Sequence, residues 1–95
     1  MASGMIQKHP EVLSIESATL SSKTTDTNGY ITGFGNVSNG KRFIVAPKCD
    51  AKNVALIPWV TTDGNWYCSA VNPSSLALLK STSLGDITYL VITLR

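Results

Sequence analysis

Apolar and polar positions along this chain fall into short runs separated by turn signals, at Asn28-Gly29, Asn39-Gly40, residues 50–53, Asp63-Gly64, Asn72-Pro73 and Gly85-Asp86. Signals spaced by roughly 8–12 residues mark a β-sandwich or barrel. The intervening runs predict strands at about 12–22, 30–36, 42–46, 53–61, 65–71, 75–80 and 87–94. The expected fold class is all-β, a compact antiparallel sandwich of about seven strands. Two readings stand for 73–80, since Asn72 as N-cap and Pro73 at the first helical position also suit one or two helical turns.

Two of these runs are apolar on both sides. A strand of an antiparallel sheet ordinarily buries one face and wets the other, yet in 87–94 only Thr88 and Thr93 are clearly polar, and they point opposite ways. The hairpin NVALIPWVTTDGNWYCSAV repeats the pattern. A two-residue loop at Asp63-Gly64 sets Trp59 opposite Cys68, and a four-residue loop sets it opposite Trp66. Either even loop puts both tryptophans on one face with Ala55, Ile57, Cys68 and Ala70, leaving Val54, Leu56, Val60, Tyr67 and Val71 on the other. A sandwich core covers one face of each sheet, so the second face needs another cover. A second copy of the chain supplies it, and the expected arrangement is a homotrimer whose interface uses Ile87, Tyr89 and Val91 or the 53–61 strand. The alternative is a closed barrel that takes all these residues into one monomeric core.

The 95 residues suffice for one domain, expected over 12–95, with 1–11 a leader or linker. Charged residues make up 15%, against about 25% in typical soluble domains, which lowers the desolvation cost of an interface. A net charge of +2, with Lys41-Arg42 the only adjacent basic pair, is too small for a nucleic-acid footprint. No apolar run reaches the roughly 18 residues of a membrane helix, so no membrane insertion is expected. The first residues, MASGMIQKHP, lack the pattern of a signal peptide. Two cysteines and one histidine do not make a structural zinc site. A Cys49–Cys68 disulfide remains open, although the missing signal segment favours reduced thiols.

No catalytic constellation is present. The single histidine, His9, lies in the expected linker, and the six acids mostly occupy turns and strand ends, where they serve as turn formers. Gly33-Phe34-Gly35 does not complete a nucleotide-binding loop, and no cofactor is implied. The remaining chemistry suits a sugar, which is recognised by an aromatic face for its C–H side and by amides and carboxylates for its hydroxyls. Asp63, Asn65, Trp66 and Tyr67 supply that set at a hairpin tip, as a saccharide-binding site. The competing reading makes Trp59 and Trp66 packing residues.

The run NGYITGF, NGKRFIVAP, NVALIPWVTTDGNWYCSAVNPSS and GDITYLVITLR resembles the small C-terminal tip domains of bacteriophage tail fibres and related host-recognition proteins. Those have an Asn-Gly-Tyr opening strand and a Gly-Asp or Gly-Thr turn before a hydrophobic last strand. The likeness covers about residues 12–95, but here only about ten residues precede the domain where such knobs follow a long shaft. It implies a homotrimeric all-β knob that is joined to an upstream fibre shaft or baseplate protein, made in the host cytoplasm and borne on the virion. Its partner would be a host cell-surface saccharide. The alternative function is a trimerising cap or virion decoration protein without a ligand of its own.

Overall fold

The computed structural model describes residues 12–36 and 41–94. The expected leader at 1–11 and the Asn39-Gly40 turn lie outside them. Six strands are present: β1 (Val12–Thr24), β2 (Tyr30–Ile31), β3 (Arg42–Cys49), β4 (Ala55–Val60), β5 (Trp66–Val71) and β6 (Ser83–Leu94). They form two antiparallel sheets of three strands, ordered β1-β6-β3 and β2-β5-β4, and the described residues contain no helix. The all-β class is as expected, with one strand fewer.

The missing strand is 75–80, and its local chemistry explains why. The Asn72 side chain does cap, its Oδ1 accepting the N–H groups of Ser74 and Ser75. Leu76, however, sits in the left-handed region at φ 63° and ends the turn at once. Beyond Leu76 the chain meets β5 through a single bridge between Val71 and Leu78, too little to extend the sheet.

β6 is the middle strand of its sheet. Ala18 and Leu20 of β1 stand opposite Tyr89 and Ile87, and Ile44 of β3 stands opposite Val91. Its inward side chains Leu84, Ile87, Tyr89 and Val91 meet Ile31, Cys68 and Ala70 of the other sheet in one core. This corrects the expected interface: Ile87, Tyr89 and Val91 are buried within a single chain, with Ile87 at 0% exposure. Period-two alternation forces the choice, since only one face of β6 can look across to the second sheet. The opposite face carries Thr88, Leu90 and Ile92, and none of the six strands stacks over it.

Candidate functional site

The β4–β5 hairpin turns through a three-residue loop, 62–64. Thr61 N–H donates to the Asn65 carbonyl (2.9 Å) and Gly64 N–H to the Thr61 carbonyl (2.9 Å). Gly64 takes the positive φ of 86° that a bulged turn of this kind requires. The loop is odd where an even one was expected, and a shift of one residue exchanges faces. Trp59 therefore pairs with Tyr67, and Val60 with Trp66, so the two tryptophans lie on opposite faces of the sheet. Trp66 faces inward at the end of the core, its Nε1–H donating to the Arg42 carbonyl of β3 (3.3 Å).

Trp59 faces outward, into an array defined by the strand register. Ile57, Ser69 and Tyr30 form one row across the sheet, and Trp59 and Tyr67 form the next. The three aromatic rings cluster there: Trp59 and Tyr67 are 4.9 Å apart between centroids, Tyr30 and Trp59 5.2 Å, and Tyr30 and Tyr67 6.3 Å. All three are half-buried, and Ile57 beside them is 50% exposed. The Trp59 indole is held by a 2.8 Å bond from Nε1–H to Ser69 Oγ. Tyr30 is placed by a turn in which Asp26 Oδ1 accepts the N–H groups of both Asn28 (2.8 Å) and Tyr30 (2.9 Å). The hydroxyls of Tyr30 and Tyr67 make no hydrogen bond among the described residues.

The second row has no third member because the chain leaves the sheet after β2. Ile31 pairs with Cys68, but the next bridge joins Asn36 to Asn65, a jump of two residues in register. Residues 32–35 take up that slack. Gly33 and Gly35 adopt φ of 105° and 103°, which any side chain would strain. Between them Phe34 is turned into the core at 1% exposure, edge-on to Tyr89 at 4.9 Å. Beside the displaced segment is an open cleft of about 330 Å³, lined by Thr32, Gly33, Gly35 and Asn36 on one side and Asn65, Trp66 and Tyr67 on the other. The Asn36 amide spans its end, donating to Asn65 Oδ1 (2.8 Å) and the Asp63 carbonyl (3.1 Å).

Of the four residues predicted from the hairpin tip, Asn65, Trp66 and Tyr67 line this cleft. Asp63 does not; it is exposed at the loop tip and contributes its carbonyl to Asn36. Sequence reasoning missed Tyr30 and Asn36, which reach the site from 37 and 29 residues before Tyr67 and Asn65. An Asn-Gly-Tyr turn was visible, but its strand partner was not.

A second, smaller hollow of about 280 Å³ lies on the outer face of the other sheet, between Ala46, Lys48, Thr88, Tyr89 and Leu90. Both cysteines are free thiols, and burial pushes Cys68 up to about 12. No group of three or more His, Cys, Asp or Glu side chains among the described residues is arranged to hold a metal ion. No helix among the described residues is long and apolar enough to cross a membrane. No protein-family model matches the chain, and neither a curated protein nor a solved structure is found to be similar to it.

Proposed function

We propose that this chain is a non-enzymatic recognition module that binds a saccharide on a host-cell surface, carried at the tip of a phage tail fibre or phage-like particle. The observation that supports binding is the continuity of ring surface and polar cleft through one residue. Tyr67 belongs both to the Trp59–Tyr30 cluster and to the cleft wall that carries Asn65, opposite Asn36. A pyranose laid on the rings places its C–H face on Trp59 and Tyr67. Its hydroxyls then reach the Tyr30 and Tyr67 phenols and the amide edge. Net gains of about 0.5–1.5 kcal/mol per hydrogen bond and about 1 kcal/mol for stacking give a site near millimolar. A homotrimer presenting three such sites, several to a particle, raises the working avidity by roughly 10²–10⁴. The placement on a fibre rests on the resemblance of the NGY and GDITYLVITLR segments.

The test is glycan-array and whole-cell binding by wild type, Trp59→Ala and Tyr67→Ala. Loss of binding in both folded variants supports the proposal; undiminished binding by both rejects this face as the site.

A structural role, as an assembling cap, is favoured by one other observation. On the outer face of the first sheet Ile92 stands between Ile15 and Phe43 in one row, and Leu90 stands beside Val45 in the next. Ile15, Phe43 and Leu90 are 60%, 38% and 37% exposed. A homotrimer would bury this strip, which takes the place of Ile87, Tyr89 and Val91 as the surface between copies.

A further inference from the structure

The charge of the saccharide can be read from the groups that stand behind the two glycines of the cleft. The 32–36 segment crosses the inner side of the first sheet, from β1 at Gly33 to β3 at Gly35, with Phe34 against Tyr89 of β6 on the way. At its β1 end the Lys23 ammonium lies 3.7 Å from where a Cβ of Gly33 would stand. At its β3 end the Arg42 guanidinium lies against Gly35, with Nη1 2.5 Å from the corresponding position. Leu20 packs beside Lys23 at the β1 end, its Cδ1 3.5 Å from the same position at Gly33, and neither cation lines the cleft itself, so both act on it from behind the glycine backbone. Both residues are half-buried, and no carboxylate among the described residues pairs with either. Asp63 is the acid of the neighbouring loop tip, and it is exposed to solvent.

Two half-buried cations without a carboxylate partner among the described residues carry a desolvation cost that an anion close to them offsets, and they raise the local concentration of anions. An uncharged sugar gains nothing from either effect. Resting on the saccharide reading above, we propose that the cleft selects acidic glycans, in which a carboxylate, sulfate or phosphate is drawn to the 33–35 segment by Lys23 and Arg42 while the ring stacks on Tyr67 and Trp59. Arg42 is the stronger contributor, because its guanidinium lies closer to the segment than the Lys23 ammonium does.

Methyl glucuronide and methyl glucoside differ only in the carboxylate at C6, and titrating each while following the amide NMR signals of residues 32–36 and 65–67 isolates the charge. An array of neutral, carboxylated and sulfated glycans extends the comparison, and inorganic sulfate alone tests whether the anion suffices without a ring. The expected result is about tenfold tighter binding of the acidic sugar, equivalent to about 1.4 kcal/mol. That preference should shrink as salt rises from about 0.05 to about 0.5 M. Arg42→Gln and Lys23→Gln should each reduce it without loss of neutral-sugar binding, whereas Arg42→Lys should keep part of it. Equal binding of both sugars, or an acid preference unchanged by salt and by both variants, overturns the inference and leaves saccharide recognition standing. Sulfate binding as well as the acidic sugar also overturns it, in favour of a simple anion site. Absence of binding to any glycan overturns both. The salt series needs only wild-type protein, so the inference stays testable even where a variant fails to fold.

Discussion

Trp59 and Tyr67 are directly paired across the β4–β5 ladder, with ring centroids 4.9 Å apart, while Trp66, the residue before Tyr67, points through the sheet to the Arg42 carbonyl. Neighbouring aromatics thus have different tasks. Tyr67 joins a half-buried cluster on the outer face, and Trp66 closes the end of the core. The division is made by one residue of loop length, and it separates binding from stability in a way that substitution can read.

Trp66→Ala should therefore cost roughly 3 kcal/mol of stability, at the lower end for an aromatic truncation because the ring is only half-buried. Trp59→Ala should cost about 1–2 kcal/mol, from the Ser69 hydrogen bond and the ring contacts. Urea denaturation ranks them. A larger loss from Trp59 than from Trp66 would reverse the assignment of faces.

Phe34 is the peg that holds the displaced 32–35 segment. Its truncation to Ala should cost about 3–5 kcal/mol, since a ring at 1% exposure leaves a cavity and its edge-on contact with Tyr89 is lost. The variant should also weaken sugar binding, because the 32–35 segment loses its anchor in the core and keeps only the hydrogen bonds at Gly35 and Asn36. Stability is checked by urea unfolding and binding by titration under conditions where the variant is folded.

The legibility of this fold in its sequence divides along short-range and long-range lines. The strands around Ile44, Leu56, Ala70 and Val91 follow from β-branched and alternating runs, and the all-β class follows from the spacing of turns. The pairing β1-β6-β3 joins residues up to 82 apart, such as Val12 and Leu94, and no local pattern encodes it. The face of each tryptophan depended on whether the loop at Asp63-Gly64 was odd or even. Thr61 and Asn65 close a bulged turn as readily as Asp-Gly forms a tight one, so composition alone could not choose. Residues 30–36 read as one strand because they run between the Asn28-Gly29 and Asn39-Gly40 turn signals, yet Gly33 and Gly35 are what release that strand after Ile31.

The Cys68 thiol is buried and its pKa is raised to about 12 from the ordinary 9.0 by loss of solvent. Below pH 9 the thiol is neutral in both folded and unfolded chains and contributes no pH dependence. Between about 9 and about 12 the unfolded chain loses this proton while the folded one keeps it, so stability must fall as pH rises, with a limiting slope of about 1.4 kcal/mol per unit. Urea unfolding of wild type and Cys68→Ala from neutral pH to about 10.5 should show the steeper decline in wild type. Parallel slopes would contradict it. A thiol reagent at neutral pH should also modify Cys49 before Cys68, which reacts only on unfolding.

Leu90 and Val91 are adjacent and look to opposite sides of β6, which lets assembly be separated from folding. Val91 is buried against Ile44 and the second sheet, so Val91→Asp leaves an unpaired carboxylate in the core and should cost about 3–5 kcal/mol, enough to unfold the chain. Leu90 is 37% exposed on the uncovered face, where a charge meets water and should shift monomer stability by no more than about 0.5 kcal/mol. If the strip of Ile15, Phe43, Leu90 and Ile92 joins copies in a homotrimer, Leu90→Lys places three like charges in one desolvated contact. It should then convert the assembly to a folded monomer. Light scattering with circular dichroism distinguishes the outcomes. A wild-type chain that is monomeric at micromolar concentration rejects the assembly, and a Leu90→Lys variant that remains trimeric places the contact on another face. A folded monomer from Leu90→Lys beside an unfolded Val91→Asp would establish that the two-sided apolarity of β6 serves two different ends, one face for the chain's own core and one for its neighbours.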